Sequence, residues 1–308
     1  MIDVPEAFAR STVAREGEPG SRWLVGLPKI VDELLERWSC TPDGEVTHGA
    51  VGIVVPVRAP SGPAVLKVSF THPGNVHEPD AFAAWAGRGA VQLHERDDER
   101  FALLLERAHP ETLADLADDD EIIRIAGRLS RRLAIPAPPH LPRLRDHAPA
   151  WADELRKDAE QLPHTMPDRV VDAAIETAED LGGTQPDTLV HGDLHPGNIL
   201  RADREPWLAI DPKGHAGDPA YDVGALLKSR ALSLLQSDDH AKAFNRALDI
   251  FADAAELDRD RVHRWAQFHA VRAAFHARTH GFTIARTGPD LEAIATLADH
   301  LATLLGTP

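Results

Sequence analysis

The chain has little cysteine and no long apolar run, and both absences restrict the class of protein. Its single cysteine, Cys40, excludes an internal disulfide and fits a reducing compartment. No stretch of about 18 or more apolar residues occurs, so the sequence predicts no membrane-spanning helix. The first residues lack a basic start followed by an apolar stretch, so we read no signal peptide. These absences predict a cytoplasmic protein without a membrane partner.

Positive charge is also scarce. The 308 residues carry 33 lysines and arginines against 49 aspartates and glutamates, which gives a formal net charge of −16. Nucleic-acid binding needs a basic surface, so this balance argues against a nucleic-acid partner. An acidic surface attracts cationic small molecules, although acidity also serves solubility alone. The length allows one large domain or two lobes with separate cores.

The N-terminal third is predicted to be rich in β-strands. Apolar residues at helical spacing predict a helix over Ser21–Cys40. Two strand patterns, GIVVPVRA from Gly52 and AVLKVSF from Ala64, are joined by Pro-Ser-Gly-Pro and predict a hairpin. A helix is expected over Glu78–Gly89, and two further strand candidates come after it. We therefore predict an N-lobe over residues 1–107, built from a β-sheet and a helix packed on it.

From residue 108 the pattern becomes mainly helical. The segment DDDEIIRIAGRLSRRLAI has an acidic first turn and a basic last turn, which the helix macrodipole favours. A proline-rich connector spans Pro136–Leu144, and helical patterns dominate again after Asp218. We predict a helical C-lobe over residues 108–308 and hence an α+β fold with two lobes. Since no exposed apolar stripe can be identified, a monomer is expected.

A polar loop within the C-lobe carries the main functional signal. The segment TLVHGDLHPGNILR, Thr188–Arg201, places HGDLHPGN between two short apolar strands. A third strand ends at Asp211, and a carboxylate at the tip of a buried strand is costly unless it has a partner. Oxygen atoms of Asn198 and Asp211 suit a hard cation such as Mg²⁺. Asp193, five residues before Asn198, would lie beside the metal, where a base can orient an attacking hydroxyl.

These residues resemble the catalytic loop of protein kinases. The spacing Asp-x4-Asn, followed by an aspartate on the next hairpin, matches the kinase loop and its metal-binding aspartate. Because HGD replaces the kinase HRD, the chain resembles the aminoglycoside phosphotransferase and choline kinase group, whose acceptors are small molecules. The order of LLLER, PAPP and REPWLAIDPK is most similar to the streptomycin 6-kinase and hydroxyurea phosphotransferase branch. The resemblance spans roughly residues 20–305 and implies a bilobal protein-kinase-like fold.

The resemblance implies that the N-lobe binds ATP. Lys67 occupies the position of the strand lysine that holds the α- and β-phosphates, and Glu78 is its expected partner. The phosphate-covering turn would be THGAVGIV, in which Gly49 and Gly52 are the only glycines. Backbone N–H groups of such a turn can cap phosphate oxygens. Adenine is expected to bond to the backbone near two residues of LLLERA, Glu106 and Ala108.

In the C-lobe the resemblance implies catalytic, supporting and substrate positions. Asp193 would orient the acceptor hydroxyl for in-line transfer of the γ-phosphoryl group, with Mg²⁺ on Asn198 and Asp211. His191 would hold the loop, and Asp222 would brace it from the following helix. Candidate substrate contacts are Asp218, Lys213 and Trp265.

Some positions allow a second interpretation. His191 and His195, four residues apart, would suit a metal pair on a helix, but the Pro-Gly that follows disfavours a helix there. Lys213 could face either the phosphates or the acceptor. Trp265 shares one helical face with His269, Arg272 and His276, and this face could be core or pocket wall.

The predicted function is phosphorylation of a hydroxyl on a small cationic antibiotic, with streptomycin first. The interval between Asp211 and Asp222 is too short for an activation segment, so protein substrates are not expected. Alternatives are hydroxyurea, another antibiotic, a sugar or an amino alcohol as acceptor. A nucleotide-binding protein without catalysis is the remaining alternative, because fold alone does not imply activity.

Overall fold

In a computed structural model, the chain is described over residues 2–280 and 289–306 and forms two compact units. The first unit contains the residues up to Glu111 together with Leu200–Lys213. The second contains Thr112–Ile199 and the chain from Gly214 onward. The predicted lobes differ from these units in two ways: their boundary was placed at residue 107, and residues 200–213 were assigned to the helical lobe. The α+β fold class is confirmed.

The first unit is built on an antiparallel sheet. Its strands are β1 (Thr41–Pro42), β2 (Thr47–His48), β3 (Gly52–Ala59), β4 (Gly62–Ser69), β5 (Leu93–Asp97) and β6 (Ala102–Glu106). The order is β1-β3-β4-β6-β5, and β2 pairs with the first half of β3. Lys67 on β4 lies opposite Val54 on one side and Leu103 on the other. The lysine therefore sits on a central strand, whose ladder fixes its position.

Helix α1 (Glu6–Arg37) precedes the sheet and bends at Gly17. Gly17 has φ 62° and ψ −135°, a conformation that glycine adopts without steric cost. The bend separates an N-terminal arm, residues 6–16, from the rest of the helix. The core of this unit buries apolar side chains from both halves of α1 and from the sheet, among them Phe8, Leu27, Val31, Ile53 and Leu66. The predicted helix over Ser21–Cys40 therefore misses the arm.

Helix α2 (Glu78–Trp85) follows β4 and carries Glu78 at its first position. The helix ends where Ala86 adopts a left-handed conformation with φ 48°. Its last turn is fixed by packing of Phe82 and Trp85, whose ring centroids lie 6.4 Å apart. The prediction of a helix over Glu78–Gly89 is confirmed in position, although the observed helix ends four residues earlier.

The second unit is mainly helical. Its helices are α3 (Asp119–Leu133), α4 (Ala148–Gln161), α5 (Asp168–Gly183), α6 (Val223–Leu234), α7 (His240–Ala255), α8 (Arg259–His280) and α9 (Pro289–Leu305). Asp118 caps α3 by accepting hydrogen bonds from the N–H groups of Asp120 and Glu121, which explains the acidic start. Within residues 2–280 and 289–306, none of the helices is both long and apolar enough to cross a membrane.

Short strands carry the polar loop and the hairpin after it. They are β7 (Thr188–Val190), β8 (Ile199–Arg201), β9 (Trp207–Ala209) and β10 (His215–Gly217). β7 pairs antiparallel with β10 in the second unit. Ala209 of β9 bridges to Ala90, and the N–H of His109 donates to the carbonyl of Arg201 at 2.8 Å. These contacts place Leu200–Lys213 in the first unit.

Candidate active site

A buried lysine with two carboxylate partners forms the centre of the site in the first unit. The Nζ atom of Lys67 donates to Oε1 of Glu78 at 2.6 Å and to Oδ1 of Asp211 at 2.5 Å. Lys67 is 9% exposed and Glu78 is 3% exposed. Burying charged groups costs several kcal/mol unless they are paired, so this arrangement is built around the charges. The structure thus brings together three predicted site residues that lie far apart in the sequence.

The two buried charges shift each other's protonation. Burial by itself lowers the pKa of Lys67, but the carboxylates of Asp211 and Glu78 outweigh it and leave the pKa above its usual value. Burial raises the pKa of Glu78, and the ammonium of Lys67 opposes that rise. Lys67 is therefore a fixed positive charge across the range in which proteins are active, as a phosphate-binding group must be.

Asp211 reaches Lys67 through an unusual backbone conformation. Its φ is 58°, in the left-handed region that only a small share of non-glycine residues adopt. Such strain persists where surrounding contacts over-determine it, and it is concentrated at functional sites. The aliphatic stem of Lys213 lies near Gly74, and its charge acts on Glu78. Lys213 therefore belongs to the same unit as the lysine–carboxylate cluster.

The predicted phosphate-covering turn is a tight connection between β2 and β3. The N–H of Gly49 donates to the carbonyl of Gly52 at 2.9 Å, which closes the turn. Gly52 has no room for a side chain, because a Cβ there would lie 2.5 Å from Oγ of Ser69. A Cβ at Gly49 would meet no atom within 4 Å, so that face is open to a ligand. The two predicted glycines thus differ in their roles: Gly52 serves packing and Gly49 leaves space.

The strand predicted to contact adenine is held by side-chain contacts of Glu106. The N–H of Glu106 donates to the carbonyl of Gln92 at 2.8 Å, and its carboxylate accepts from the N–H of Gln92 at 2.9 Å. Arg204 also donates to this carboxylate, at 2.8 Å from Nη2. The N–H of Glu106 is thus engaged in the protein itself, and Ala108 lies two residues further on, half-buried. Arg204 is the first residue of the string REPWLAIDPK, but the sequence analysis gave it no role.

In the second unit, the polar loop that contains Asp193 is held by bonds within itself. His191 is fully buried, and its Nδ1 accepts a hydrogen bond from the N–H of Asp193 at 3.2 Å. The side-chain nitrogen of Asn198 donates to the backbone carbonyl of Asp193 at 3.0 Å. Both sides of the Asp193 backbone are therefore fixed. Because Asn198 uses its nitrogen for this bond, its amide oxygen is the atom that a hard cation would bind.

Asp222 braces the same loop from the start of α6. Its two carboxylate oxygens accept hydrogen bonds from the N–H of His191 at 3.1 Å and the N–H of Gly192 at 2.7 Å. Gly192 has φ 80°, which favours glycine and turns the chain sharply before Asp193. Burial raises the pKa of Asp222 to about 7, and the two backbone donors oppose that rise. The predicted bracing contact is thus present in the geometry.

The two histidines of the loop serve the backbone. Nδ1 of His195 accepts from the N–H of Gly197 at 3.1 Å and caps the short 3₁₀ turn over Pro196–Asn198. Nδ1 of His191 is engaged in the same way two residues after it. Within the described part of the chain, no group of three or more His, Cys, Asp or Glu side chains is placed to hold a metal. The geometry favours positioning over the alternative of a histidine metal pair.

Asp218 and Trp265, predicted as substrate contacts, bond to each other in the interior. Nε1 of Trp265 donates to Oδ2 of Asp218 at 2.9 Å, and Arg261 donates to the same oxygen from Nε at 2.9 Å. Trp265 is 0% exposed and Asp218 is 3% exposed. The sequence analysis missed Gln185, whose side-chain oxygen accepts from the N–H of Asp218 at 2.9 Å. This packing favours a supporting role for both residues, because neither offers surface to an acceptor.

An aromatic cluster lies beside this network. It shows which residues on the helical face of Trp265 belong to the core. Trp151 stacks on Tyr221 with centroids 5.7 Å apart, and the guanidinium of Arg272 lies 5.4 Å from the Trp151 ring. His269 is half-buried with its ring centroid 4.3 Å from that of Tyr221, and the desolvation of the ring lowers its pKa to about 3. Trp265 therefore belongs to the core, whereas His269 and Arg272 are half-buried and His276 is exposed.

Comparison with known proteins identifies the family. The model of the aminoglycoside/hydroxyurea antibiotic resistance kinase family matches residues 37–281. The chain belongs to this family. A streptomycin 6-kinase of Streptomyces glaucescens is 35% identical over 268 residues, covering 86% of this chain and 87% of that protein. A hydroxyurea phosphotransferase of Kitasatospora aureofaciens is 32% identical over 277 residues, covering 88% and 79% respectively. The predicted family is confirmed, and with it the enzyme class: the protein is a small-molecule kinase.

Solved structures show the same fold at low sequence identity. Aminoglycoside phosphotransferase APH(4)-Ia has a TM-score of 0.60 at 15% identity, covering 92% of this chain and 100% of that chain. A choline/ethanolamine kinase family protein from Mesorhizobium loti has a TM-score of 0.59 at 16% identity, covering 91% and 96%. A thermostable mutant of APH(4)-Ia in complex with ADP and hygromycin B has a TM-score of 0.55 at 18% identity, covering 90% and 98%. The predicted protein-kinase-like fold is confirmed.

Proposed function

We propose that this kinase transfers the γ-phosphoryl group of ATP to a hydroxyl of a small cationic antibiotic, with streptomycin as the first candidate acceptor. The observation that carries the proposal is the buried pair of Lys67 and Glu78, to which the partly exposed Asp211 adds a second carboxylate. A buried lysine between two carboxylates stabilises a protein less than apolar packing would. A requirement for a fixed positive charge at the phosphates explains why a lysine occupies this buried position on a central strand.

The residues of the first unit fit the nucleotide. Lys67 supplies the cation for the α- and β-phosphates, and Glu78 keeps it oriented. The open face at Gly49 leaves space for a phosphate against the turn. The oxygen atoms of Asn198 and Asp211 are the ligand type that Mg²⁺ prefers, and the bound ion would neutralise charge on the phosphates.

In the transfer step, the acceptor oxygen forms a bond to the γ-phosphorus while the bond to the β,γ-bridging oxygen breaks, and ADP leaves. Asp193 orients the acceptor hydroxyl and takes its proton. Its backbone is fixed by His191 and Asn198, and Asp222 fixes the two preceding N–H groups. Catalysis then depends mainly on orientation and on fixed charges, which are the terms that dominate phosphoryl transfer.

Streptomycin as acceptor is supported by the relatives and by charge. The relatives include streptomycin 6-kinases at 35% identity, and the net charge of −16 attracts a molecule that carries guanidinium groups. Hydroxyurea is the second candidate, because a hydroxyurea phosphotransferase is 32% identical over most of the chain. We expect carboxylates of the second unit to contact the acceptor. Glu154 and Asp158 are candidates, since they lie one turn apart on α4 and neither is fully buried.

The test is ADP release from Mg-ATP, measured with streptomycin, hydroxyurea or no acceptor added. Turnover that needs streptomycin and is lost in Asp193→Ala supports the proposal. Turnover with hydroxyurea but not with streptomycin would identify hydroxyurea as the acceptor and leave the proposed mechanism unchanged. Binding of Mg-ATP without turnover on either compound would refute the proposed acceptors. A protein that does not bind Mg-ATP would refute the proposed function as a whole.

A further inference from the structure

The N-terminal arm contacts the tip of the phosphate-covering turn. Nη1 of Arg15 donates to the backbone carbonyl of Ala50 at 2.9 Å, across 35 residues of sequence. Nε of Arg15 donates to Oε1 of Glu16 at 2.6 Å, which holds the guanidinium in place. Ala50 lies within the turn that the bond between Gly49 and Gly52 closes. A side chain outside the sheet thus reaches the part of the turn proposed to cover the phosphates.

Aromatic packing fixes the arm beside the same turn. Phe8 is fully buried, with its ring centroid 5.5 Å from that of His48 on β2 and 6.0 Å from that of Trp23. Trp23 packs edge-on against Phe70 at 5.6 Å, and the N–H of Phe70 donates to the carbonyl of Val51 at 2.8 Å. The arm therefore contacts the turn directly at His48 and Ala50, and through Trp23 and Phe70 it is linked to Val51.

The bond from Arg15 also determines the orientation of one peptide group. The carbonyl of Ala50 and the N–H of Val51 belong to the same planar trans peptide unit, so they point in opposite directions. A guanidinium that holds the Ala50 carbonyl fixes the direction of the Val51 N–H as well. It also keeps the negative end of that peptide dipole directed toward the guanidinium of Arg15.

We propose that Arg15 is a positioning residue for the nucleotide, acting through the Ala50–Val51 peptide of the phosphate-covering turn. This inference rests on the proposed function, because it assigns the turn to the phosphates of ATP. The match to the family model begins at residue 37, so the arm lies outside the residues that this model covers. In this role Arg15 orients the turn, and the turn in its place holds the phosphates of the nucleotide.

The test compares Arg15→Ala with Arg15→Lys and with Arg10→Ala. Arg10 lies on the same arm and forms an exposed ion pair with Glu6. Arg10→Ala therefore controls for the loss of one positive charge and for a general disturbance of the arm. We expect Arg15→Ala to raise the KM for ATP about three- to tenfold, the range for loss of one charged hydrogen bond at a part-exposed site. The kcat and the KM for the acceptor should stay within about twofold of the wild type. Arg15→Lys should recover part of the loss, and Arg10→Ala should match the wild type.

A second measurement is independent of catalysis. Hydrogen exchange of the peptide covering residues 48–52, in nucleotide-free protein, should be faster in Arg15→Ala and unchanged in Arg10→Ala. If exchange of this peptide or the KM for ATP is unchanged in Arg15→Ala, the inference about Arg15 is wrong. Turnover by the wild type would still support the proposed function in that case. Equal effects of Arg15→Ala and Arg10→Ala would also overturn it. Failure of the wild type to bind Mg-ATP would overturn both.

Discussion

Replacement of Asp222 by asparagine should change both the pH dependence of stability and the rate of transfer. Asp222 is 3% exposed, and its two carboxylate oxygens hold the N–H groups of His191 and Gly192. Asparagine offers one oxygen, and its NH2 group would face the second N–H. Because these two N–H groups fix the chain immediately before Asp193, we expect the kcat of Asp222→Asn to fall by about tenfold or more.

The magnitude of the stability effect follows from the buried carboxylate. Burial raises the pKa of Asp222 from its ordinary 3.8 to about 7. The folded protein therefore keeps a proton that the unfolded chain loses near pH 4. The contribution of Asp222 to the free energy of unfolding is greatest below about pH 4, falls as pH rises and levels off above about pH 7. At about 1.4 kcal/mol for each tenfold change in proton affinity, the full loss is roughly 4 kcal/mol.

The assay is urea unfolding of the wild type and Asp222→Asn at intervals between pH 5 and pH 8. The lost hydrogen bond contributes a pH-independent cost of about 1–3 kcal/mol to the variant, and the titration of Asp222 in the wild type adds a pH-dependent difference to this cost. The wild type should lose stability relative to the variant by roughly 3 kcal/mol as pH rises across this range. Asp238→Asn, at an exposed position, is the matched control and should give a constant difference. A pH-independent difference for Asp222→Asn would refute the reasoning.

Two further predictions concern the lysine cluster and the packing of the second unit. Lys67→Met should lower the rate of transfer by about 10²- to 10³-fold and weaken nucleotide binding, because it removes the fixed cation that contacts the buried Glu78 and the partly exposed Asp211. Single-turnover transfer and direct nucleotide titration measure the two effects. Gly224→Ala should destabilise the protein by about 1–3 kcal/mol despite its better helix propensity, because the new Cβ would lie 2.3 Å from the His269 ring. Gly183→Ala, where a Cβ meets nothing within 4 Å, is the control in urea unfolding, and an equal effect of the two would contradict the prediction.

Much of the fold could be predicted from local patterns. The hairpin of β3 and β4 is confirmed, because alternating apolar residues and a Pro-Gly turn are signals that a single sequence contains. The N-terminal arm was missed, since Gly17, Pro19 and Gly20 read as helix breakers and the bend at Gly17 joins two helices. The assignment of Leu200–Lys213 to the first unit depends on backbone contacts such as the Ala90–Ala209 bridge, which leave no pattern in the sequence.

The site was predictable where its residues follow a fixed spacing. Lys67, Glu78 and Asp211 were placed by motif order, and they lie within hydrogen-bond distance in the structure. The substrate positions were less accessible to sequence analysis. Asp218 and Trp265 carry polar atoms that satisfy each other in the interior, and only the folded packing reveals this. The monomeric state, the cytoplasmic location and the function of each lobe stay predictions.

The most direct test of the account is transfer of labelled γ-phosphate from ATP to streptomycin by the wild type and by Asp193→Asn. The substitution keeps the size of the side chain and removes the carboxylate that takes the proton, while the backbone bonds from His191 and Asn198 remain possible. The account predicts labelled phosphostreptomycin with the wild type and a loss of about 10²-fold or more with the variant, with Mg-ATP binding retained. Equal transfer by both proteins would contradict the role of Asp193, and the absence of label on any hydroxyl of the acceptor would contradict streptomycin as the substrate.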